Sequence, residues 1–385
     1  MSELIPPYGG RLVTAEPSGA ERRELAARAA RLPSLPVADV TLAHMEAIAT
    51  GVYSPLTGFM GERDCRSVVE RLRLADGRPW PWPVVLPVPE EWARRRRAGE
   101  EVALLDSGGR LMGVLGLEDL FRPDPRWKAA APDGEPLPLG RPDAGVMYAG
   151  GPVRLLQRRP ARFPRLQQDP VEVRATLAGR GWRAVAGILT RHVIHKDGEY
   201  VLRTLLEGAD GVLVQGVVAD ADEPRDIPAR VRVRCYEVVL HQYFPAHRVH
   251  LVVQGVSEPL GSPRRALLGA IVLRNYGCTQ AAVTAEAAGA EEAGDEGLGL
   301  QMVQELYERF QDELGIRLTF FTQPLFCDAC GTMVTDKTCP HGALERVIMN
   351  RERLRRLLLA GIAPPPQYTR PEVASILLEW ARGAR

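Results

Sequence analysis

A chain of 385 residues is longer than one ordinary hydrophobic core can fill, so two or three domains are expected. Apolar residues at 45% and charged residues at 25% exclude wholesale disorder, and 37 Gly with 32 Pro stay below low-complexity levels. With 49 basic against 48 acidic side chains the formal charge is +1, which gives no broad basic field for nucleic acid and points to small partners.

The opening Met1–Pro7 carries neither a basic run nor a long apolar segment. No later apolar stretch approaches the ~18 residues of a membrane span, which predicts a cytoplasmic protein without a membrane partner. To about residue 165 the sequence alternates short apolar runs with turn signals such as Leu74-Ala75-Asp76-Gly77 and Asp106-Ser107-Gly108-Gly109, which predicts a mostly β module. Arg94–Arg97 are expected on a solvated helix face. The prolines between Pro123 and Pro142 predict an extended surface connection.

From residue 166 the pattern changes. A helix over Val171–Gly181 precedes the apolar run Ala184–Leu189, and the same succession repeats: a helix ending near Gly208, strand Gly211–Val218, helix Pro228–Tyr243, strand Arg248–Val253 and helix Pro263–Tyr276. Alternation of this kind predicts a parallel α/β sheet, whose ligands collect beyond the carboxyl ends of the strands. The loops starting at Thr190, Gly255 and Thr284 are therefore the candidate pocket.

Several strings carry a resemblance over nearly the whole chain: Ile5-Pro6-Pro7-Tyr8-Gly9-Gly10-Arg11, Ser54-Pro55-Leu56-Thr57-Gly58-Phe59-Met60, Asp226-Ile227-Pro228-Ala229, Arg274-Asn275-Tyr276-Gly277-Cys278-Thr279 and Arg370-Pro371-Glu372-Val373. In these the chain resembles the ATP sulfurylase (sulfate adenylyltransferase) family. The resemblance implies a PUA-like, β-rich domain over 1–165, a nucleotidyltransferase-type α/β domain over 166–322 and a small zinc-binding subdomain over 323–385. It also implies ATP with Mg as substrate and a homo-oligomer, with a dimer as the family's form.

Position by position, the pocket departs from the family pattern. The family's Gln-Thr-Arg-Asn-Pro followed by His-x-x-His stands here as Leu189-Thr190-Arg191-His192-Val193-Ile194-His195-Lys196-Asp197-Gly198. Thr190, Arg191 and His195 remain, while Leu189 offers no amide and Gly198 no imidazole. Glu258-Pro259 replaces Met-Arg, with Arg264 and Arg265 following. Thr284-Ala285-Glu286-Ala287-Ala288-Gly289 replaces Gly-Arg-Asp-His-Ala-Gly, and Met349-Asn350-Arg351 replaces Ser-Gly-Thr. The candidate catalytic residues are thus Thr190, Arg191, His192, His195 and Glu286, with Arg191, His195, Lys196 and Arg264 as candidate ligand-binding groups; Arg265 and Arg351 are further sources of replacement charge.

Two metal expectations follow. Cys327-x2-Cys330-x8-Cys339-x-His341 supplies three thiolates and an imidazole, a closed tetrahedral set for structural zinc. Cys65, Cys235 and Cys278 read as buried small hydrophobes. His192-x2-His195-x3-Glu199 at the start of a helix suggests a second metal held by two imidazoles with Glu199, Glu258 or Glu286. His44, His241, His247 and His250 have no comparable spacing.

Losing one transition-state donor typically costs ~3 kcal/mol, about a hundredfold in rate. The substitutions therefore predict that the remodelled pocket no longer adenylylates sulfate and acts on another small anionic or nucleotide-like substrate. Conventional sulfate adenylylation and a noncatalytic binding or assembly role are the alternatives.

Overall fold

The computed structural model describes residues 4–128, 145–218, 226–255, 260–289, 296–347 and 349–383. The first unit is a seven-stranded sheet of β1 (Ser34–Pro36), β2 (Gly58–Phe59), β3 (Leu86–Pro89), β4 (Glu101–Leu105), β5 (Leu111–Gly116), β6 (Asp119–Phe121) and β7 (Val146–Leu155). Strand β7 is the hub, pairing antiparallel with β2, β3, β5 and β6. Backbones meet so closely there that only glycine fits: a Cβ on Gly58 would lie 1.9 Å from the Gly151 carbonyl oxygen, and one on Gly150 would lie 2.6 Å from the Gly61 backbone.

This unit is more helical than the turn signals predict, with α1 (Gly19–Ala29), α2 (Asp39–Ala49) and α3 (Glu62–Arg71) beside the sheet. The short α4 (Glu90–Ala93) stops before Arg94, so Arg94–Arg97 occupy the following turn and not a helix face. Most of the proline-rich connection lies outside the described residues.

The second unit agrees closely with the alternation read from the sequence. It runs α5 (Pro170–Gly179), β8 (Val185–Thr190), α6 (Lys196–Glu207), β9 (Gly211–Val217), α7 (Ala229–Tyr243), β10 (Val249–Gln254), α8 (Pro263–Asn275), β11 (Gln280–Val283), α9 (Ala285–Ala288), a helix Glu296–Glu308 and β12 (Arg317–Phe320). Helix starts follow local chemistry: Pro170 and Pro263 sit in the first turns of α5 and α8, and Ser262 Oγ caps α8 by accepting from the Arg265 N–H at 3.3 Å.

All five strands are parallel, in the order β10-β9-β8-β11-β12. Their alternate residues feed two cores. Val185, Leu189, Leu213 and Val252 join α5, α8 and the N-terminal unit in one continuous cluster, whereas Ala186, Ile188, Val212 and Val214 pack with α6 and α7. The chain steps outward from β8 to β10, then returns to lay β11 on the other side of β8. That reversal opens a crevice at the carboxyl ends of β8 and β11, the usual ligand position in such sheets.

Asn275, fully buried at the end of α8, fastens the two units. Its Nδ2 donates to the carbonyls of Val52 and Ser54, both at 3.0 Å, and its Oδ1 accepts from the Tyr8 N–H at 2.9 Å. The last unit is a three-stranded antiparallel sheet in the order β14 (Thr332–Val334), β13 (Leu325–Cys327), β15 (Arg346–Val347). Helices Arg351–Leu359 and Pro371–Gly383 follow, and Val373, Ile376 and Leu377 of the last one return to the core around α7. No described helix is long and apolar enough to cross a membrane.

Candidate functional site

Thr190 closes β8, and the chain turns there without regular structure until α6 begins at Lys196. The turn exposes a main-chain N–H and a hydroxyl at the crevice, and one carboxylate takes both. Glu286, carried on α9 from the far side of the crevice, accepts from the Arg191 N–H at 2.7 Å and from Thr190 Oγ1 at 2.9 Å. His192 Nδ1 lies 3.4 Å from the same carboxylate. Thr284 holds α9 in place from its N-cap position, its Oγ1 accepting from the Ala287 N–H at 3.4 Å.

Cations surround this corner. His192 is held far below its ordinary protonation range, first by burial and then by the positive charges of Arg351, Arg191 and Arg232. Arg232, on α7, donates to the Arg191 carbonyl and, at 3.2 Å, to that of Val217, pinning the turn from below. The corner thus brings together Thr190, Arg191, His192 and Glu286 with Arg232 and Arg351, around a single carboxylate.

His195 belongs to a neighbouring arrangement. It is buried at the N-cap of α6, its Nδ1 is 2.8 Å from Thr369 Oγ1, and its ring stacks on Tyr368 at 4.4 Å. Burial alone drives its pKa down to about 3, so the ring is neutral at physiological pH. Lys196 donates its main-chain N–H to the Tyr368 carbonyl at 2.9 Å. Glu199 is engaged in a two-point ion pair, with Arg370 Nε and Nη2 both at 2.8 Å.

These contacts correct the second-metal expectation. His192 faces Glu286, His195 faces Thr369 and Glu199 faces Arg370, so the two histidines converge with neither Glu199 nor Glu286. The reason is local: His195 has extended backbone with φ −96° and ψ −169°, so the helical i, i+3 relation does not apply to the pair. Glu258 lies outside the described residues. Arg264 is fully buried in the first turn of α8, with its guanidinium reaching the Val69 carbonyl of α3 at 3.5 Å. Arg265 lies over the Trp82 ring at 4.6 Å.

The cysteine expectation holds in geometry. Cys327, Cys330, Cys339 and His341 place one ligand atom each within 4.8 Å of one another, and among the described residues no other group of three or more His, Cys, Asp or Glu does so. His341 Nδ1 stands 3.3, 3.4 and 3.5 Å from the sulfurs of Cys330, Cys339 and Cys327, and Cys330 Sγ lies 3.7 Å from Cys339 Sγ. A tetrahedron with metal–sulfur bonds of about 2.3 Å has edges of roughly 3.5–3.8 Å, so the donor set can hold a metal ion. Gly331, at φ +67°, turns the chain so that its N–H reaches the Cys327 carbonyl at 2.8 Å. Cys65, Cys235 and Cys278 are buried as expected.

Arg232, Thr369 and the Glu199–Arg370 pair were not singled out by sequence reasoning. Arg370 was visible only as part of a family-like string, and Arg232 had no signal beyond its place on α7. A separate cleft of about 560 Å³ lies alongside edge strand β12, lined by Thr204, Gly208, Arg317, Phe320 and Lys337. It does not include the Thr190 corner.

A family model described as ATP-sulfurylase matches residues 164–380, and one described as a PUA-like domain matches residues 5–158. A sulfate adenylyltransferase of Symbiobacterium thermophilum is 41% identical over 100% of this chain and 98% of its own length. One from Synechococcus sp. (strain JA-3-3Ab) is 38% identical over 99% and 97%. The solved hexameric APS kinase from Thiobacillus denitrificans superposes with a TM-score of 0.77 at 28% identity, covering 98% of this chain and 68% of that one. With fold order, crevice and whole-length similarity in agreement, the chain belongs to the ATP-sulfurylase family.

Proposed function

We propose that the chain transfers an adenylyl group between ATP and sulfate in the crevice between β8 and β11. The observation that carries the site is the concentration of Arg191, Arg232 and Arg351 about His192 at the carboxyl end of β8, a setting suited to anions. The choice of sulfate is supported by full-length relatives named sulfate adenylyltransferase at 34–41% identity. That similarity favours the ordinary reaction over the loss of it that the substitutions predict.

In this reading a sulfate oxygen bonds to the α-phosphorus of ATP, the bond from that phosphorus to its bridging oxygen breaks, and pyrophosphate leaves with Mg. Such chemistry relies on positioning and charge stabilisation. Thr190 Oγ1 and the Arg191 N–H orient the acceptor, Arg191 and Arg351 offset the phosphate charge, and Thr369 orients a neutral His195. The Cys3His group holds zinc as a structural ion that orders the loops between β13 and β15. Chains associate into a homo-oligomer.

A second reading, a changed substrate, is favoured by one arrangement: the carboxylate of Glu286 on the Thr190 and Arg191 donors, with Leu189 and Gly198 in place of polar groups. Sulfate-dependent exchange of labelled pyrophosphate into ATP separates the two. Exchange that requires the folded chain supports adenylyl transfer to sulfate. Nucleotide binding without exchange supports the changed substrate, and neither binding nor exchange supports an assembly role.

A further inference from the structure

We propose that Glu286 is a built-in competitor for the oxyanion corner and so sets the acceptor affinity of the site. The inference rests on the adenylyl-transfer reading and deepens it. The corner offers two strong donors at the end of β8, the Thr190 hydroxyl and the Arg191 N–H, and Glu286 accepts from both at 2.9 and 2.7 Å. One of its oxygens is also 3.4 Å from His192 Nδ1, and the Glu286 side chain is only 11% exposed.

A carboxylate and a tetrahedral oxyanion ask for the same thing: N–H and O–H donors in a positive setting. They cannot share this one. An incoming dianion would meet a unit negative charge at contact distance, and both donors would already be engaged. Among the described residues, the charged and titratable groups about the corner are Arg191 and His192 on its own turn, Arg232 and Tyr236 on α7 and Arg351 after β15, with His195 of the neighbouring arrangement close enough to act on His192. Glu286 is the acidic group among them, and the only one of them carried on α9.

Helix α9 spans four residues between the Thr284 cap and Gly289 at φ +76°, and Glu286 reaches back from it to a turn 95 residues earlier. An acceptor enters by displacing the carboxylate from Thr190 and Arg191, and the carboxylate returns when product leaves. A merely structural tie would use the same two hydrogen bonds, so the test must remove the charge while the side chain stays hydrogen-bonded to both groups.

Glu286→Gln removes the charge at the smallest cost in bonding: its one amide oxygen still accepts from the Arg191 N–H, and its NH2 can donate to the Thr190 hydroxyl turned to accept. Calorimetric titration of the zinc-loaded full chain with sodium sulfate, and separately with ATP, reads the effect without any need for turnover. The expected result is a tenfold or greater gain in sulfate affinity for Glu286→Gln, with ATP affinity within twofold of wild type. Glu286→Asp, which withdraws the charge by one methylene, should lie between the two and serves if the Gln variant folds poorly. Sulfate affinity that is unchanged or weaker in both variants overturns the competitor role. Since binding is measured apart from pyrophosphate exchange, absence of exchange in the wild type rejects adenylyl transfer without deciding the role of Glu286.

Discussion

Replacing Asn275 by Ala should loosen the junction between the N-terminal and central units more than any comparable truncation on the surface. The side chain is fully buried and makes three hydrogen bonds, of 2.9, 3.0 and 3.0 Å, to backbone groups of Tyr8, Val52 and Ser54. Asn275→Ala leaves one buried N–H and two buried carbonyls without that partner. At about 1–3 kcal/mol for a stranded buried donor, and less for carbonyls with a second lone pair to use, the loss amounts to roughly 3–5 kcal/mol. The same ledge holds Arg174, whose guanidinium approaches the Arg274 and Asn275 carbonyls at 3.4 Å and also donates to that of Ile5, so the N-terminal segment should detach with it. Urea unfolding followed by tryptophan fluorescence reads this directly, since Trp80 and Trp82 are fully buried in the N-terminal unit. A midpoint shift of about 1 M is expected for a chain of this size. A shift under about 0.2 M would refute the assignment of the junction to Asn275.

Two further outcomes follow from the chemistry of particular groups. Removal of metal from the Cys3His group with a strong chelator, or Cys327→Ser, should unfold the hairpin carrying Cys327, Cys330 and Cys339 while the central sheet persists, visible as loss of amide protection over 325–347 alone; unchanged protection would contradict a structural ion. For His195, whose pKa falls from 6.5 to about 3 on burial, the unfolded chain binds a proton that the folded chain refuses between those values. Stability therefore drops as pH falls from 6.5, by up to about 1.4 kcal/mol per pH unit for this group, and is independent of it above 7. His250, pushed by burial to about 4, adds in the same direction. His195→Gln should flatten the acid limb of a stability–pH curve, and an unaltered slope would show that the ring is not held neutral.

The central unit was legible because buried parallel strands are short, continuous apolar runs, so Ala184–Leu189 and Gly211–Val218 announced β8 and β9 within a residue or two. Cysteine spacing was equally readable, since four ligands close in chain and space leave few alternatives. The N-terminal helices were lost for opposite reasons. Helix α2 buries almost every face, from Thr41 to Ala49, so no polar stripe marks its period. Helix α3 does carry such a stripe, with Cys65, Val68 and Val69 inward, but the turn signals around it dominated the reading.

At the site, sequence identified Thr190, Arg191, His192 and Glu286 but not their geometry. Glu286 meets Arg191 across 95 residues, a pairing fixed by the return of β11 beside β8 and not by any local spacing. The expected His192, His195 and Glu199 triad fails at one backbone position. His195 caps α6 in extended conformation instead of lying within it, and a helical-face argument needs helix at both residues.

The most direct test of the account is whether the purified, zinc-loaded chain makes adenylyl sulfate from ATP, Mg and sulfate when pyrophosphate is continuously hydrolysed. Product that forms in proportion to enzyme, saturates with sulfate and disappears in Arg191→Ala is the predicted result. A folded chain that yields none at any sulfate concentration would contradict it.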